Sequence, residues 1–188
     1  MQLSHTGYYA DYYLYGGAVA GLTISTLATT PIPDWGGWAL AYGAGIFSWT
    51  FAEYQLHRWI LHHVPYVKEM HEAHHHDQKA LIGTPGWLSF VLFTLLVFLP
   101  AYLIAGFSIG GAFAAGFTFG YLIYITVHHG VHHWRIRPGG YLYRLKHRHA
   151  LHHHFDDMGN YGVITSFWDR VFRTNIKVRD RREAEAGN

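Results

Sequence analysis

Two long stretches of this chain carry almost no charge. From residue 80 to 134 there is no Asp, Glu, Lys or Arg, and no histidine falls between Leu81 and Val127. That run is about twice the roughly 20 apolar residues one helix needs to cross a bilayer. Gly106, Gly110 and Gly111 interrupt it near its middle, so it reads as a helical hairpin. One arm runs over Trp87–Ala105 and the other over Ala112–Val127, with Pro100 tolerated as a kink. A second uncharged stretch, Tyr12–Ala52, is broken only by Asp34 in the turn-like Thr30-Pro31-Ile32-Pro33-Asp34. It predicts a first hairpin whose second arm, Trp35–Ala52, continues as helix through His57. The tyrosines at 8, 9, 12, 13 and 15 and the tryptophans at 35 and 38 fit interfacial belts.

The expected fold is therefore an all-α integral membrane protein with four transmembrane helices in two hairpins. Such an arrangement puts both termini and residues 57–79 on one side. All 14 Lys and Arg fall at or after Arg58 and outside the spans, which makes that side cytoplasmic by the positive-inside rule. No basic segment precedes the first apolar run, so no cleavable signal peptide is expected. Gly116-xxx-Gly120 marks a close helix contact of the kind also seen in dimers; the oligomeric state is left open.

Composition narrows the chemistry. Only 14% of the 188 residues are charged, no cysteine is present and the net charge is +2. The absence of cysteine excludes a thiol nucleophile, a thiolate metal site and a disulfide framework. The small net charge argues against a nucleic-acid partner. The 17 histidines are the anomaly, and all except His5 fall into four groups, 57–63, 71–76, 128–133 and 147–154, all on the predicted cytoplasmic side.

The spacing within the groups is that of shared helix faces. His71, His74 and His75 form HxxHH, as do His149, His152 and His153, and His128 and His132 are one turn apart. His57 and His62, five residues apart, lie about 140° around an ideal helix and converge only where that helix ends or distorts. Neutral imidazole is the commonest metal ligand, and ten candidate ligands exceed what one tetrahedral zinc uses. Two metals are the natural count, and imidazole alone does not choose between zinc, copper, iron and nickel.

HRWILH (57–62), HEAHH (71–75), HHGVHH (128–133) and HALHH (149–153) resemble, in order and interval, the histidine boxes of the fatty acid hydroxylase and sterol desaturase superfamily of membrane di-iron oxygenases. NYGVITSFWDRVFRT (160–174) is similar to that family's stretch after the last box, so the resemblance covers about residues 45–175. It implies one hydroxylase-like membrane domain over 1–188 with a cytoplasmic helical cap holding a dinuclear metal site, and a flexible basic tail over 175–188. The ligands it implies are His57, His62, His71, His74, His75, His128, His132, His149, His152 and His153, around two iron ions that zinc replaces on overexpression. His63, His76, His129, His133 and His154 are then orienting residues, and Asp169, Trp168 and Tyr161 either brace the cap or approach the substrate, with bracing preferred. The implied activity is O2-dependent hydroxylation or desaturation of a lipid, of fatty acyl or sterol type. Electrons are expected from a separate donor, cytochrome b5-like or ferredoxin-like.

This chain departs from the family at Arg173, where glycine is expected. Arg137-Pro138-Gly139-Gly140 lacks the histidine of a haem-binding turn and reads as a simple turn. Two other readings compete. His71-Glu72-xx-His75 satisfies the zincin motif, with Glu72 as general base of a membrane zinc metalloprotease. A non-enzymatic metal-binding membrane protein needs only the clusters.

Overall fold

The computed structural model describes residues 2–177, and the larger part of the expected basic tail, 178–188, lies outside them. The described residues form helices joined by loops, with one isolated bridge between Gln2 and Ile82. Helix α1 (His5–Thr29) starts under a Ser4 cap whose hydroxyl accepts from Gly7 N–H. A 3₁₀ turn, Ile32–Asp34, leads into α2 (Trp35–Gln55), which widens into a π-helical segment, Leu56–Leu61. Helix α3 (Val67–His76) precedes α4 (Gly86–Phe93), a second π segment (Thr94–Phe98) and α5 (Leu99–His133). Helices α6 (Tyr141–His154) and α7 (Phe167–Val171) complete the described chain.

The continuous helical stretch Gly86–His133 is long and apolar enough to cross a membrane. It folds back on itself at Gly106, whose φ of 73° and ψ of 178° leave the helical region. Glycine reaches that conformation without steric penalty. Beyond the turn Gly110 lies against the Ala101 carbonyl, and Phe93 meets the rings of Phe117 at 5.5 Å and Tyr121 at 5.1 Å. The two arms thus lie side by side. Pro100 falls just after the second π segment, where the widened backbone accommodates a residue with no N–H to donate.

The second arm of α5 is the central post. Helix α1 runs antiparallel to it, with Tyr15 and Tyr121 rings 4.6 Å apart and Tyr12 Oη donating to the Ile125 carbonyl. Helix α2 runs parallel to it, and three glycines set the approach. Gly116 sits against the Tyr42 carbonyl, Gly45 against the Phe113 carbonyl, and a Cβ on Gly120 would come within 2.6 Å of Trp49. The Gly116-xxx-Gly120 pair is therefore used inside the chain, where a dimer contact had been an alternative. The two inter-arm turns meet at one end, Thr30 Oγ1 bonded to Ser108 Oγ at 2.5 Å. All four histidine groups lie at the other end.

Gly116→Ala should cost about 1–3 kcal/mol, because the new methyl overlaps backbone that cannot move without separating α2 from α5. Gly43→Ala, on a face with nothing within 4 Å, should be neutral or slightly stabilising. Thermal unfolding of the two variants in detergent checks the contrast.

Candidate metal centre

Four helix ends deliver the histidines. In the π segment hydrogen bonds close from i to i+5, so residues five apart come onto one face. That distortion brings the His57 and His62 rings to 5.3 Å, stacked at 22°. Helix α3 supplies His71, His74 and His75, the end of α5 His128 and His132, and α6 His149, His152 and His153. Side chains at i and i+4 on a helix point the same way, while i+3 lies to one side.

The fold sorts the ten into two groups of five. His57, His62, His71, His75 and His152 form one, and His74, His128, His132, His149 and His153 the other; within each, the ligand atoms lie within 4.8 Å of one another. Helix α3 gives its i,i+4 pair to the first group and His74 to the second. Helix α6 does the reverse, giving His149 and His153 to the second and His152 to the first. His75 and His153 stack across the boundary with ring centres 4.1 Å apart.

The first group's Nε2 atoms converge. His57 Nε2 is 3.1 Å from that of His71 and 3.0 Å from that of His152, and His71 to His75 is 3.0 Å. In the second, His132 Nε2 lies 3.2 Å from His74 and 2.9 Å from His149, which is 3.0 Å from His153. Two imidazole nitrogens each roughly 2.1 Å from one ion and at right angles are roughly 3 Å apart, so this spacing fits shared metal ligation.

Tautomers strengthen that fit. His57 Nδ1–H donates to the Tyr161 carbonyl at 2.6 Å, and His152 Nδ1–H to the Gly159 carbonyl at 2.8 Å. Carbonyl oxygen only accepts, so both Nε2 atoms are bare lone pairs facing each other across 3.0 Å. His57 is 4% exposed and His152 fully buried, which leaves no water to separate them. A shared cation removes the repulsion. His62 Nε2 is also buried without a hydrogen-bond partner.

Burial keeps the rings neutral. Desolvation, reinforced by neighbouring histidines, lowers His74 and His75 to about 4. His152 falls to about 3 by desolvation, although the Gly159 carbonyl opposes the shift. His149 is held well below its ordinary value mainly by the same burial. Neutral imidazole is the form that ligates.

The orienting groups differ from those expected. His63 reaches the Arg58 carbonyl, His154 pairs with Gln78, and His129 bonds Tyr8 and stacks on His133. None of these partners is a member of the two groups. His57 and His152 are oriented instead by backbone carbonyls of the 159–161 loop, which carry no side-chain signature. Two buried acids hold that loop. Asp169 accepts from Tyr161 N–H at 2.9 Å, Gly162 N–H at 3.0 Å, Thr174 Oγ1 at 2.8 Å and Arg148 at 3.1 Å. Glu53 Oε1 accepts from Val163 and Ile164 N–H at 2.5 and 3.1 Å. Trp168 Nε1 donates to Thr50 Oγ1, tying α7 to α2, and the Tyr161 ring lies 5.5 Å from His62. Asp169, Trp168 and Tyr161 are thus braces in this geometry. Glu72 is exposed and pairs with Lys68 at 3.5 Å, the setting of a surface carboxylate and not of a buried general base. Residues 137–140 form a simple turn, with Gly139 at φ 94° and Gly140 capping α6.

Arg173 has a φ of 59°, the left-handed region that favours glycine, which explains why its arginine stands out. Arg173→Gly should relieve about 1–2 kcal/mol of strain against about 0.4–1 kcal/mol of added unfolded-chain entropy. A net gain near 0.5–1 kcal/mol, read as a higher unfolding temperature, is expected. The lowered histidines bind protons more weakly folded than unfolded, so between pH 6.5 and about 4 the unfolded chain takes up more protons. Metal-free protein should be most stable above pH 6.5 and lose stability as pH falls through that window, as unfolding scans from pH 7.5 to 4.5 will show.

The sequence model of the fatty acid hydroxylase family matches residues 42–174, which contain all ten histidines and the bracing loop. Mouse fatty acid 2-hydroxylase is 33% identical over 144 residues, 70% of this chain and 38% of that protein. The ceramide very long chain fatty acid hydroxylase scs7 of Schizosaccharomyces pombe is 34% identical over 152 residues, 69% of this chain and 40% of that protein. The chain thus spans about two fifths of the length of these relatives. A solved structure of full-length scs7p, in which only the hydroxylase domain is visible, superposes with a TM-score of 0.77 at 24% identity, covering 91% of this chain and 67% of that one, and shows the same fold. With the family model spanning both histidine groups and the loop that orients them, this chain belongs to the fatty acid hydroxylase family.

Proposed function

We propose that this chain is a membrane di-iron oxygenase that hydroxylates a C–H bond of a lipid acyl chain, using O2 and electrons from a separate donor protein. The observation that carries the reading is the gathering of ten imidazoles into two five-nitrogen groups at one end of an apolar helical bundle, in a chain of the fatty acid hydroxylase family. The ten ligands are His57, His62, His71, His75 and His152 for one ion and His74, His128, His132, His149 and His153 for the other. Iron pairs supply O2 activation when bound.

The protein's share is placement. The Gly159 and Tyr161 carbonyls hold the His152 and His57 rings by Nδ1, keeping Nε2 free for metal. The braced loop fixes those carbonyls. Helices α1 and α2 and the two arms of Gly86–His133 are read as four spans. All 14 Lys and Arg lie at or after Arg58, which puts the termini and the metal cap on the cytoplasmic side. A cavity of about 400 Å³, lined by Tyr15, Leu22, Phe90, Phe93, Val97 and Phe98 between α1 and the hairpin, suits an acyl chain entering from the bilayer. From Phe93 in its wall a line of ring contacts runs through Tyr121 and Tyr124 to His128, edge-to-face at Phe93–Tyr121 and stacked at Tyr124–His128, 5.6 Å apart. The relatives named as fatty acid and ceramide hydroxylases favour an acyl substrate and hydroxylation.

Elemental analysis of the purified, detergent-solubilised protein should find two metals per chain. His152→Ala should lower metal content and abolish lipid hydroxylation in a reconstituted assay with reductant, while Glu72→Gln should leave both within about twofold. A single zinc that survives His152→Ala and loses function with Glu72→Gln would overturn the reading in favour of a protease.

A further inference from the structure

On the cap, away from the two histidine groups, the first turns of α6 and the start of α7 enclose a cavity of about 610 Å³, lined among others by Tyr141, Arg144, His147, Arg148, Ser166 and Arg170. No acidic residue lines it. Arg148 is committed to Asp169 at 3.1 Å and to Asn175. Arg144 makes only a 3.5 Å contact to the Gly139 carbonyl and lies 5.8 Å from the Tyr141 ring. Among the described residues, neither Arg144 nor Arg170 has a carboxylate partner. The cavity therefore offers two uncompensated guanidinium groups together with a hydroxyl and an imidazole, a donor set suited to a phosphate.

The other face of α7 says where that phosphate comes from. Phe167 is 46% exposed, Val171 52% and Phe172 42%, and they continue an exposed strip on the last turns of α2, where Phe47 is 54% exposed. The strip is held in register, since Trp168 packs 5.5 Å from Phe47 and 4.8 Å from Phe51 and bonds Thr50. A short helix and its C-terminal cap residue that leave three large apolar side chains uncovered beside a membrane-facing helix, with arginine between them, have the composition of an interfacial element lying in a bilayer surface. An acidic protein surface would satisfy the arginines but leave the strip bare.

We propose that the cavity between α6 and α7 binds the headgroup of an anionic glycerophospholipid. Its phosphate sits between Arg144 and Arg170, and its acyl chains lie along Phe47, Phe167 and Phe172. The site rests on the reading of α2 as a membrane span with the cap at the cytoplasmic surface. Tyr141 Oη, at the rim of this cavity, donates to the Ile164 carbonyl at 2.7 Å and so ties the start of α6 to the loop that orients His57 and His152.

The test uses the intact chain in detergent, with dioctanoyl phosphatidylglycerol, dioctanoyl phosphatidylcholine and inorganic phosphate as separate probes. Binding is read by native mass spectrometry and by the shift in unfolding temperature. Phosphatidylglycerol should bind one to one and raise the unfolding temperature, and the other two probes should not. Arg144→Gln with Arg170→Gln should weaken that binding about 30-fold, on the scale of basic residues at an anionic surface, while Lys at both positions retains most of it. Arg148 stays unchanged because it holds Asp169. Equal binding of the two lipids, or full phosphatidylglycerol affinity in the double Gln variant, overturns the site. An equal shift by inorganic phosphate makes it a free-anion site and overturns the lipid assignment. Alkaline carbonate extraction separates the two levels: release of the chain from membranes sinks the membrane reading itself, whereas retention without selective lipid binding sinks only this site.

Discussion

His57 and His152 each give their Nδ1–H to a backbone carbonyl, and their bare Nε2 lone pairs then face each other across 3.0 Å inside the protein. Two buried acceptors at that distance repel unless a proton or a cation lies between them, and burial has already disfavoured the proton. The other eight rings crowd just as closely, five ligand nitrogens to a group within 4.8 Å of one another. Whatever else the chain does, its fold must hold these nitrogens together, and most of its irregular features serve that end.

A regular helix would fail at one point. His57 and His62 would diverge by about 140° on an α-helix, and the π segment Leu56–Leu61 removes the divergence by one extra residue per turn. At α3 and α6 the opposite is exploited, because HxxHH on a regular helix sends its i,i+4 pair to one centre and the middle histidine to the other. The crossing of α3 and α6 then gives each group a pair from one helix and a single ring from the other. Neither group can form without both helices.

Rigidity comes from below and behind. Below, glycines 45, 116 and 120 let α2 and the second arm of α5 approach to backbone contact, fixing the height at which His57 and His128 emerge. Behind, Asp169 and Glu53 take up the N–H groups of the 161–164 loop, so that its carbonyls are free to face imidazole. A loop that must present carbonyls inward exposes N–H groups on its other side, and the buried side-chain oxygens of Asp169 and Glu53 accept from them. This explains why two acids sit fully buried beside a cluster of bases: they bind the backbone and not the metal.

Helix positions, the turns between apolar arms and the four histidine groups were legible from residue order, because hydrophobic length and spacings of three and four are properties of a single helix. The ten histidines singled out from the boxes are the ten the fold brings together, and the 160–174 segment was readable as a brace. Partition was not legible: nothing in HEAHH says that His74 leaves its neighbours for another centre, because that depends on how α3 is rotated against α5 and α6. The roles of the Gly159 and Tyr161 carbonyls were hidden too, since every residue has a carbonyl and only the tertiary path of the loop aims these two. Gly116 and Gly120 read equally as a contact within or between chains until α2 was seen against them. The sequence determined which chemistry is present and which helix ends carry it, because local periodicity encodes a helix face. Only the tertiary structure decided which nitrogens share a centre and what turns them towards it, because those relations arise between segments up to about a hundred residues apart.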